Sequence, residues 1–300
     1  MIRVKKKTLI LVLGAAAGVV VLYFGAQVAT SYAWGSRVCE RVAFMGQTRP
    51  ERFTEIPPDT ELPAIFHSVT QTPECCLYIA HAGGAVNGTP YTNSPEALAV
   101  NYAKGARVFE IDFTLAGNGD IVLAHDFNAF AAPPESEAAF LAMPAPHGQS
   151  HMSFDTLMRW LLAHPDARLV TDTKFDGGPR RIAEKLAEAL PREVLENQVI
   201  FQVYSLEELA DADLRIYGAP IILTVYKLGT FHPGDLIGAL EQYPPMALTM
   251  SSGRAPKLLQ LTRLYLPDLP LYVHGHPSVI NDTDLQSCLE ALGASGFYLD

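Results

Sequence analysis

Basic side chains are scarce in this sequence. Its 300 residues include 22 Lys and Arg against 32 Asp and Glu, which gives a net charge of −10. Four of the basic residues fall within the first seven positions, so the rest of the chain has 18 basic and 32 acidic residues and a net charge of −14. Nucleic-acid binding needs clustered Lys and Arg to contact phosphates. We therefore exclude nucleic acid as a partner.

Charged residues are few altogether, at 18%, whereas hydrophobic residues make up 49%. This balance excludes wholesale disorder and allows a sizeable core. The sequence contains no long internal repeat and no low-complexity tract. Its length suits one large domain or two small ones.

Cysteine is also rare, and the four cysteines do not have the spacing of a zinc site. Cys75 and Cys76 are adjacent, and Cys39 and Cys288 are far from them. In an oxidising compartment disulfides are possible, and the sequence leaves all three pairings of the four cysteines open. The alternative is that some cysteines are simply small buried apolar residues.

One long apolar segment stands at the N-terminus. Residues 9–28 are almost continuously apolar, and a helix of this length spans ~30 Å, the thickness of a bilayer core. Lys5–Lys7 precede it, and Tyr32 and Trp34 follow where interfacial aromatic residues are expected. We predict a cytoplasmic basic tip and a transmembrane signal-anchor over residues 1–33, with the rest of the chain periplasmic or extracellular.

A cleaved signal peptide is the alternative to an anchor. Its apolar region is normally ~7–15 residues, shorter than this one, although Ser31-Tyr32-Ala33 resembles a weak cleavage site. We predict a juxtamembrane segment over residues 34–74. Within it, the apolar side chains of residues 36–45 recur at helical spacing.

From residue 75 to residue 300, short apolar runs alternate with helical patterns. The predicted strands are 77–80, 107–113, 168–173, 199–204, 220–225, 246–250, 271–274 and 297–299. The predicted helices begin near Ser94, Ser153, Pro179, Leu206, Pro233, Ala255 and Asp282, with Ser94 and Asp282 as N-caps. We assign the additional apolar run 121–124 to the loop after the second strand.

Eight strands alternating with helices predict parallel pairing and an α/β fold, a (β/α)₈ TIM barrel preceded by one transmembrane helix. An open doubly wound sheet is less favoured, because His81-Ala82-Gly83-Gly84 is not a dinucleotide-binding glycine loop. The sequence ends after the eighth strand without a following helix. We therefore expect the chain around residues 36–45, or the chain after it, to cover that part of the barrel.

Polar residues lie at the carboxyl ends of the predicted strands, where barrel active sites are built. Glu110 and Asp112 are two residues apart, so both side chains point to one side of their strand. Asp172 on the next strand completes a set of three carboxylates. An oxygen-only set favours one divalent cation, Mg²⁺ or Ca²⁺. The simpler interpretation is that one of these acids forms a salt bridge, for instance with Lys174.

Two histidines flank this acidic cluster. His81 ends the first strand and His125 lies in the loop after the second. Imidazoles titrate near neutral pH, so the pair is suited to general acid–base catalysis. Lys174 can hold an anionic oxygen. Together these groups predict phosphoryl-transfer chemistry.

The segments IAHAGG, TNSPEAL, GARVFEIDF and DIVLAHDF together resemble the glycerophosphodiester phosphodiesterase family, as does the acid-x-Lys pattern of Asp172 and Lys174. The resemblance covers residues 77–175 by motif, and the strand–helix rhythm extends it to residue 300. It implies a barrel that hydrolyses phosphodiesters with a divalent metal held by Glu110, Asp112 and Asp172. It further implies His81 and His125 as the acid–base pair and Lys174 as a phosphate contact.

Three positions depart from the family pattern. Ala82 replaces an Arg, Asp172 stands where many members have Glu, and His274-Gly275-His276 replaces a Trp-Thr-hydrophobic-Asn sequence. Two other functions remain open. One is a sphingomyelinase D or phospholipase D-like enzyme that releases a cyclic phosphate, and the other is an inactive barrel that binds a phosphodiester. The sequence indicates a small-molecule or lipid substrate, but it does not identify the two alcohols or the oligomeric state.

Overall fold

The computed structural model describes residues 77–128, 130, 132–145, 148–225, 233–252, 255, 259, 266, 268–276 and 280–300. All of them belong to one compact unit, Glu51–Asp300. The predicted signal-anchor, the juxtamembrane segment and the predicted helix at 36–45 lie outside these residues. Among the helices that the structure describes, none combines the length and the apolar character needed to cross a bilayer.

Eight parallel strands form a closed barrel, as predicted. Nearest neighbours pair in the order β1, β9, β8, β7, β6, β5, β4, β2, and β1 also pairs with β2 through Ala80 and Phe109, which closes the ring. The barrel strands are β1 (Leu77–Ala80), β2 (Val108–Leu115), β4 (Arg168–Thr173), β5 (Val199–Val203), β6 (Ile221–Thr224), β7 (Ala247–Ser251), β8 (Leu271–His274) and β9 (Gly296–Leu299).

The run that we assigned to a loop after the second strand begins as a short strand, β3 (Ile121–Val122). It pairs antiparallel with the end of β2, where Thr114 faces Val122. The turn between them is stabilised by Asn118, which accepts a hydrogen bond from the Asp120 amide at 2.8 Å. His125 follows β3 by three residues, and its ring lies 5.4 Å from that of Tyr91, centroid to centroid.

Six of the seven predicted helix starts coincide with helices, and the seventh, near Ala255, lies in a stretch described only in part. Ser94 caps its helix by accepting from the Ala97 amide at 3.1 Å. Asp282 accepts from the amides of Asp284 and Leu285. The helices are α1 (Pro95–Ala103), α2 (Glu137–Ala142), α3 (Phe154–Ala163), α4 (Gly178–Ala189), α5 (Arg192–Gln198), α6 (Leu206–Ala210), α7 (Ala212–Arg215), α8 (Pro233–Gln242) and α9 (Thr283–Leu292).

One buried side chain from each barrel strand meets in the interior. These eight residues, one per strand, are Ile79, Val108, Val170, Ile200, Ile222, Ala247, Tyr272 and Tyr298. A larger core packs between the outer faces of the strands and the helices. Because side chains alternate along a strand, the inner layer determines which residues further along each strand also point inward.

Of the four cysteines, only Cys288 lies within the described residues. It is on α9 and is disulfide-bonded.

Candidate active site

The inward positions beyond the apolar layer are polar on every barrel strand, and they form the mouth of the barrel at the carboxyl ends. Two residues after the layer on β1, β2 and β4 stand His81, Glu110 and Asp172. Asp112 lies two residues further along β2. On the remaining strands, the residues two positions after the apolar layer are Gln202, Thr224, Thr249, His274 and Asp300.

The loop after β1 brings its backbone to the carboxylates. Ala82, buried and in a left-handed conformation with φ 48°, donates its amide hydrogen to Glu110 Oε2 at 2.7 Å. Gly84 follows with φ 86°, and a Cβ there would lie 2.5 Å from Asn101 Nδ2. Glycine is thus required for this close approach to α1, which fixes the path of the loop.

Three buried carboxylates, those of Glu110, Asp112 and Asp172, converge in this mouth. Each offers an oxygen such that the three lie within 4.8 Å of one another. Burial raises the pKa of Glu110 well above its usual value, and the charge of Asp112 raises it further. Among the described residues, Glu110 Oε1 is buried with no hydrogen-bond partner.

Lys174 neutralises the charge of Asp112, and Asn93 orients its carboxylate by hydrogen bonds. Asn93 donates from Nδ2 to Asp112 Oδ2 at 2.9 Å and accepts from the Asp112 amide at 2.9 Å. Lys174 Nζ lies 2.9 Å from Asp112 Oδ1. Burial alone would raise the pKa of Asp112, but Lys174, the two histidines and Asn93 outweigh burial and lower it. Asp112 therefore stays ionised without a bound cation.

Asp172 is held by the same lysine and by a cross-barrel network. Lys174 Nζ donates to Asp172 Oδ2 at 2.6 Å, and the Tyr204 hydroxyl donates to Asp172 Oδ1. Gln202 donates to the Tyr204 hydroxyl at 2.7 Å and accepts from the Tyr298 hydroxyl at 2.9 Å. The network links β9, β5 and β4 across the mouth and orients the third carboxylate.

These donors fit a hard divalent cation. All three are oxygens, they are buried and convergent, and one carboxylate oxygen of Glu110 lacks any hydrogen-bond partner among the described residues. A cation would also remove the cost of keeping Glu110 charged beside Asp112.

The two histidines approach the cluster from different environments. His81 is largely buried, with Nε2 3.9 Å from Glu110 Oε2 and Nδ1 3.5 Å from Asp300 Oδ1. Burial alone would lower the pKa of His81, but Asp300, Glu110 and Asp112 outweigh it and raise the pKa to about 9. His125 is half-exposed, and its Nδ1 lies 2.8 Å from Asp126 Oδ2. The Tyr91 ring lies between them, with centroids 4.7 Å from His81 and 5.4 Å from His125.

A third imidazole, His274, lies in the same mouth at the end of β8. Burial, together with the nearby positive charges of His81 and Lys174, lowers its pKa to about 3. His274 is therefore neutral at physiological pH.

A cavity of about 490 Å³ opens beside His125. Its walls are mostly apolar or aromatic and include Tyr91, Leu123, Phe130 and Phe140. His151 lies 4.1 Å from the Phe140 ring centroid, and burial lowers the pKa of its imidazole. Among the described residues that line the cavity there is no Lys or Arg.

The six site residues predicted from the sequence all lie at this mouth. The structure places Lys174 between Asp112 and Asp172, which is the salt bridge considered as the simpler interpretation, and its contact with a phosphate remains a prediction. Sequence reasoning missed Asn93, Tyr204, Gln202 and Asp300. Counting two residues from the inward apolar residue of each strand would have found Gln202 and Asp300.

Solved structures with the same architecture were found, although no family sequence model and no curated protein sequence matches the chain. A candidate glycerophosphodiester phosphodiesterase of Galdieria sulphuraria superposes with a TM-score of 0.59 at 16% identity, over 75% of this chain and 94% of that one. The glycerophosphodiester phosphodiesterase of Thermotoga maritima superposes with a TM-score of 0.56 at 14% identity. The match covers 75% of this chain and 95% of that one.

The fold is that of the glycerophosphodiester phosphodiesterases. A phosphodiesterase of Oleispira antarctica, solved with the product sn-glycerol-3-phosphate, also matches, with a TM-score of 0.55 at 16% identity over 74% of this chain and 92% of that one. The expected fold is thus confirmed over the barrel.

Proposed function

We propose that this chain is a divalent-cation-dependent phosphodiesterase that hydrolyses a glycerophosphodiester or a related phosphodiester of phospholipids or of the cell envelope. The observation that carries the proposal is the convergence of three buried carboxylates, within 4.8 Å of one another, beside His81 and His125 at one barrel mouth. The shared fold and the sn-glycerol-3-phosphate bound to the Oleispira enzyme support it.

In this proposal Glu110, Asp112 and Asp172 hold Mg²⁺ or Ca²⁺, which would supply positive charge to the phosphate oxygens. Lys174, already beside two of these acids, donates to a phosphate oxygen. One imidazole takes a proton from water or from a neighbouring hydroxyl of the substrate. The other gives a proton to the oxygen of the departing alcohol.

The cavity beside His125 is the place for one of the two alcohols. Its aromatic and apolar walls, without Lys or Arg, favour an uncharged alcohol with an apolar part over one that bears a second phosphate.

The test uses the purified full chain in detergent, with a panel of glycerophosphodiesters, lysolipids and envelope glycopolymers. We expect turnover that EDTA abolishes and that Mg²⁺ or Ca²⁺ restores, with products followed by ³¹P NMR. A cyclic phosphate as the final product would favour the sphingomyelinase D-like alternative. No turnover of any member with either cation would overturn the proposal.

Ala82 favours a second candidate, a barrel that binds phosphodiesters without turning them over. Its methyl group replaces the cationic side chain that the family resemblance leads us to expect, although its amide still anchors Glu110. Metal-dependent binding of glycerol 3-phosphate by calorimetry, together with no turnover of the panel, would support this candidate.

We also propose that the barrel is anchored to a membrane on its extracytoplasmic side. This rests on the N-terminal sequence alone, with Lys5–Lys7 before the apolar segment 9–28. A membrane-anchored enzyme would meet phospholipid head groups or envelope polymers directly.

A further inference from the structure

Asp300 is a buried carboxylate at the edge of the candidate active site. It follows β9, two residues after the inward-facing Tyr298, and its side chain is 2% exposed. Among the described residues, neither of its carboxylate oxygens has a hydrogen-bond partner. A carboxylate in this environment costs several kcal/mol unless a cationic or hydrogen-bonding group compensates it.

His81 Nδ1 is the group that faces this carboxylate, at 3.5 Å from Asp300 Oδ1, and it too is buried without a hydrogen-bond partner among the described residues. The separation is longer than a hydrogen bond, and hydrogen bonds between catalytic groups are often long before substrate binds. The other ring nitrogen, Nε2, points toward Glu110 at 3.9 Å. The imidazole thus lies between Asp300 and the three carboxylates.

We propose that Asp300 is a positioning residue that keeps a proton on His81 Nδ1 and fixes the ring so that Nε2 faces the reacting phosphodiester. The role of His81 in the reaction rests on the function proposed above. A carboxylate at Nδ1 selects one tautomer of the neutral ring and one orientation of the ring plane. The second histidine shows the same arrangement, since Asp126 lies 2.8 Å from His125 Nδ1.

The two pairs differ in their exposure to solvent. The side chains of His125 and Asp126 are 43% and 45% exposed, whereas those of His81 and Asp300 are 14% and 2% exposed. Water screens the exposed pair and offers it other hydrogen bonds. We therefore expect the orientation of His81 to depend on its carboxylate more strongly than that of His125.

The first experiment compares the full-length wild type with Asp300→Asn by ¹⁵N NMR of the histidine rings above pH 9, where the His81 ring is neutral and carries a single proton. The signals of His81 are assigned from His81→Ala. An amide at this position can donate to Nδ1, so we expect the His81 proton to move to Nε2. Asp126→Asn is the matched control, and it should alter the signals of His125 and leave those of His81 in place. Unchanged His81 signals in Asp300→Asn would overturn the proposal, whether or not the chain proves to be an enzyme.

The second experiment measures turnover. Asp300→Asn should lower kcat about 10²–10⁴-fold while KM changes little, and in the His81→Ala background it should cost nothing further. Multiplicative losses in the double variant would contradict a role through His81. Asp300→Ala, which removes the carboxylate without adding a donor, serves in both experiments if Asp300→Asn does not fold.

Discussion

At the level of single residues, Glu110 is a buried carboxyl group whose charge a bound cation would stabilise. Burial and the neighbouring Asp112 raise its pKa well above the usual value. A carboxyl group with a raised folded-state pKa destabilises the fold once the pH exceeds its unfolded pKa, because charging it then costs more in the folded state. At neutral pH the metal-free protein therefore carries this cost, and a bound cation would remove it.

Glu110→Gln should abolish cation-dependent turnover and leave the fold intact. The amide oxygen can still accept from the Ala82 amide, while the buried charge is gone. We expect the variant in EDTA to melt at the same temperature as the wild type or above it, and to gain no stability from Mg²⁺. Glu188→Gln, on an exposed position of α4, is the matched control and should behave as wild type. Full activity of Glu110→Gln would refute the metal-site assignment.

His81→Ala and His125→Ala should each lower the turnover rate ~10²–10⁴-fold, because each removes one proton-transfer group. The double variant should be little worse than the worse single variant, since the two imidazoles act on one reaction as a unit. Steady-state kinetics on one substrate decide this. Independent, multiplicative losses would count against an acid–base pair.

Residues of the site were predictable wherever the chemistry was concentrated in a short motif. Glu110, Asp112 and His81 could be recognised because a buried strand rarely carries ionisable groups without a reason. Tyr204, directly after β5, and Asn93, in the loop before α1, could not be recognised, because neither residue type signals chemistry at such a position by itself. Their roles depend on contacts with Asp172 and Asp112, which arise only from the closed barrel.

At the scale of elements, the loop between β1 and α1 holds an unusual backbone. Ala82, Asn87, Tyr91 and Asn93 all have positive φ although none is glycine. Such conformations cost free energy and persist only where the surroundings fix them. Here Ala82 and Asn93 hydrogen-bond to Glu110 and Asp112, and Tyr91 lies between the two histidines.

The end of β5 supplies the Tyr204 hydroxyl to Asp172, and its removal tests that support. Tyr204→Phe should weaken Mg²⁺ affinity about 10–100-fold, because the carboxylate loses a donor that orients it. Tyr217→Phe, which deletes a hydroxyl from a ring packed against Phe201 outside the barrel, is the control. Calorimetric titration measures both affinities, and equal affinities in the two variants would show that Tyr204 does not support the site.

Strands were easier to predict than the short helices. A parallel strand buried on both faces is a continuous apolar run, so its position is visible in the sequence. The helices α2, α5 and α7, which were not predicted, have seven residues or fewer, too short for a helical period to stand out. The start of α6 was predicted although this helix has only five residues. The strand β3 was assigned to a loop because it has only two residues, too few to show the alternation of apolar and polar side chains that indicates a strand.

At the scale of the whole molecule, the carboxyl ends of strands from all sides of the barrel contribute to one site, so cation binding should stabilise the entire fold. At a free Mg²⁺ or Ca²⁺ concentration about 100 times Kd, linkage adds about 2.7 kcal/mol to the free energy of unfolding. The melting temperature should rise with cation concentration and return to the metal-free value in EDTA. A cation-independent melting temperature would contradict binding to the native state.

The membrane topology of the chain can be tested with a reporter. A reporter enzyme fused after Asp300 should be active outside the cytoplasm and should sediment with membranes, because the N-terminal segment is predicted to anchor the chain. Recovery of a soluble form that lacks residues 1–33 would establish a cleaved signal peptide instead.

The closure of the barrel between its first and last strands has a consequence for biosynthesis. β1 pairs with β2 on one edge and with β9 on the other. The second edge of β1 therefore lacks its hydrogen-bonding partner until β9 has left the ribosome. At about 5–20 residues per second this wait lasts on the order of tens of seconds. His81 and Asp300 meet only at that moment, on adjacent strands from opposite ends of the barrel sequence. The nascent chain therefore carries an unpaired strand edge through most of its synthesis. Because the barrel is proposed to lie outside the cytoplasm, extracytoplasmic chaperones are the factors expected to shield this edge.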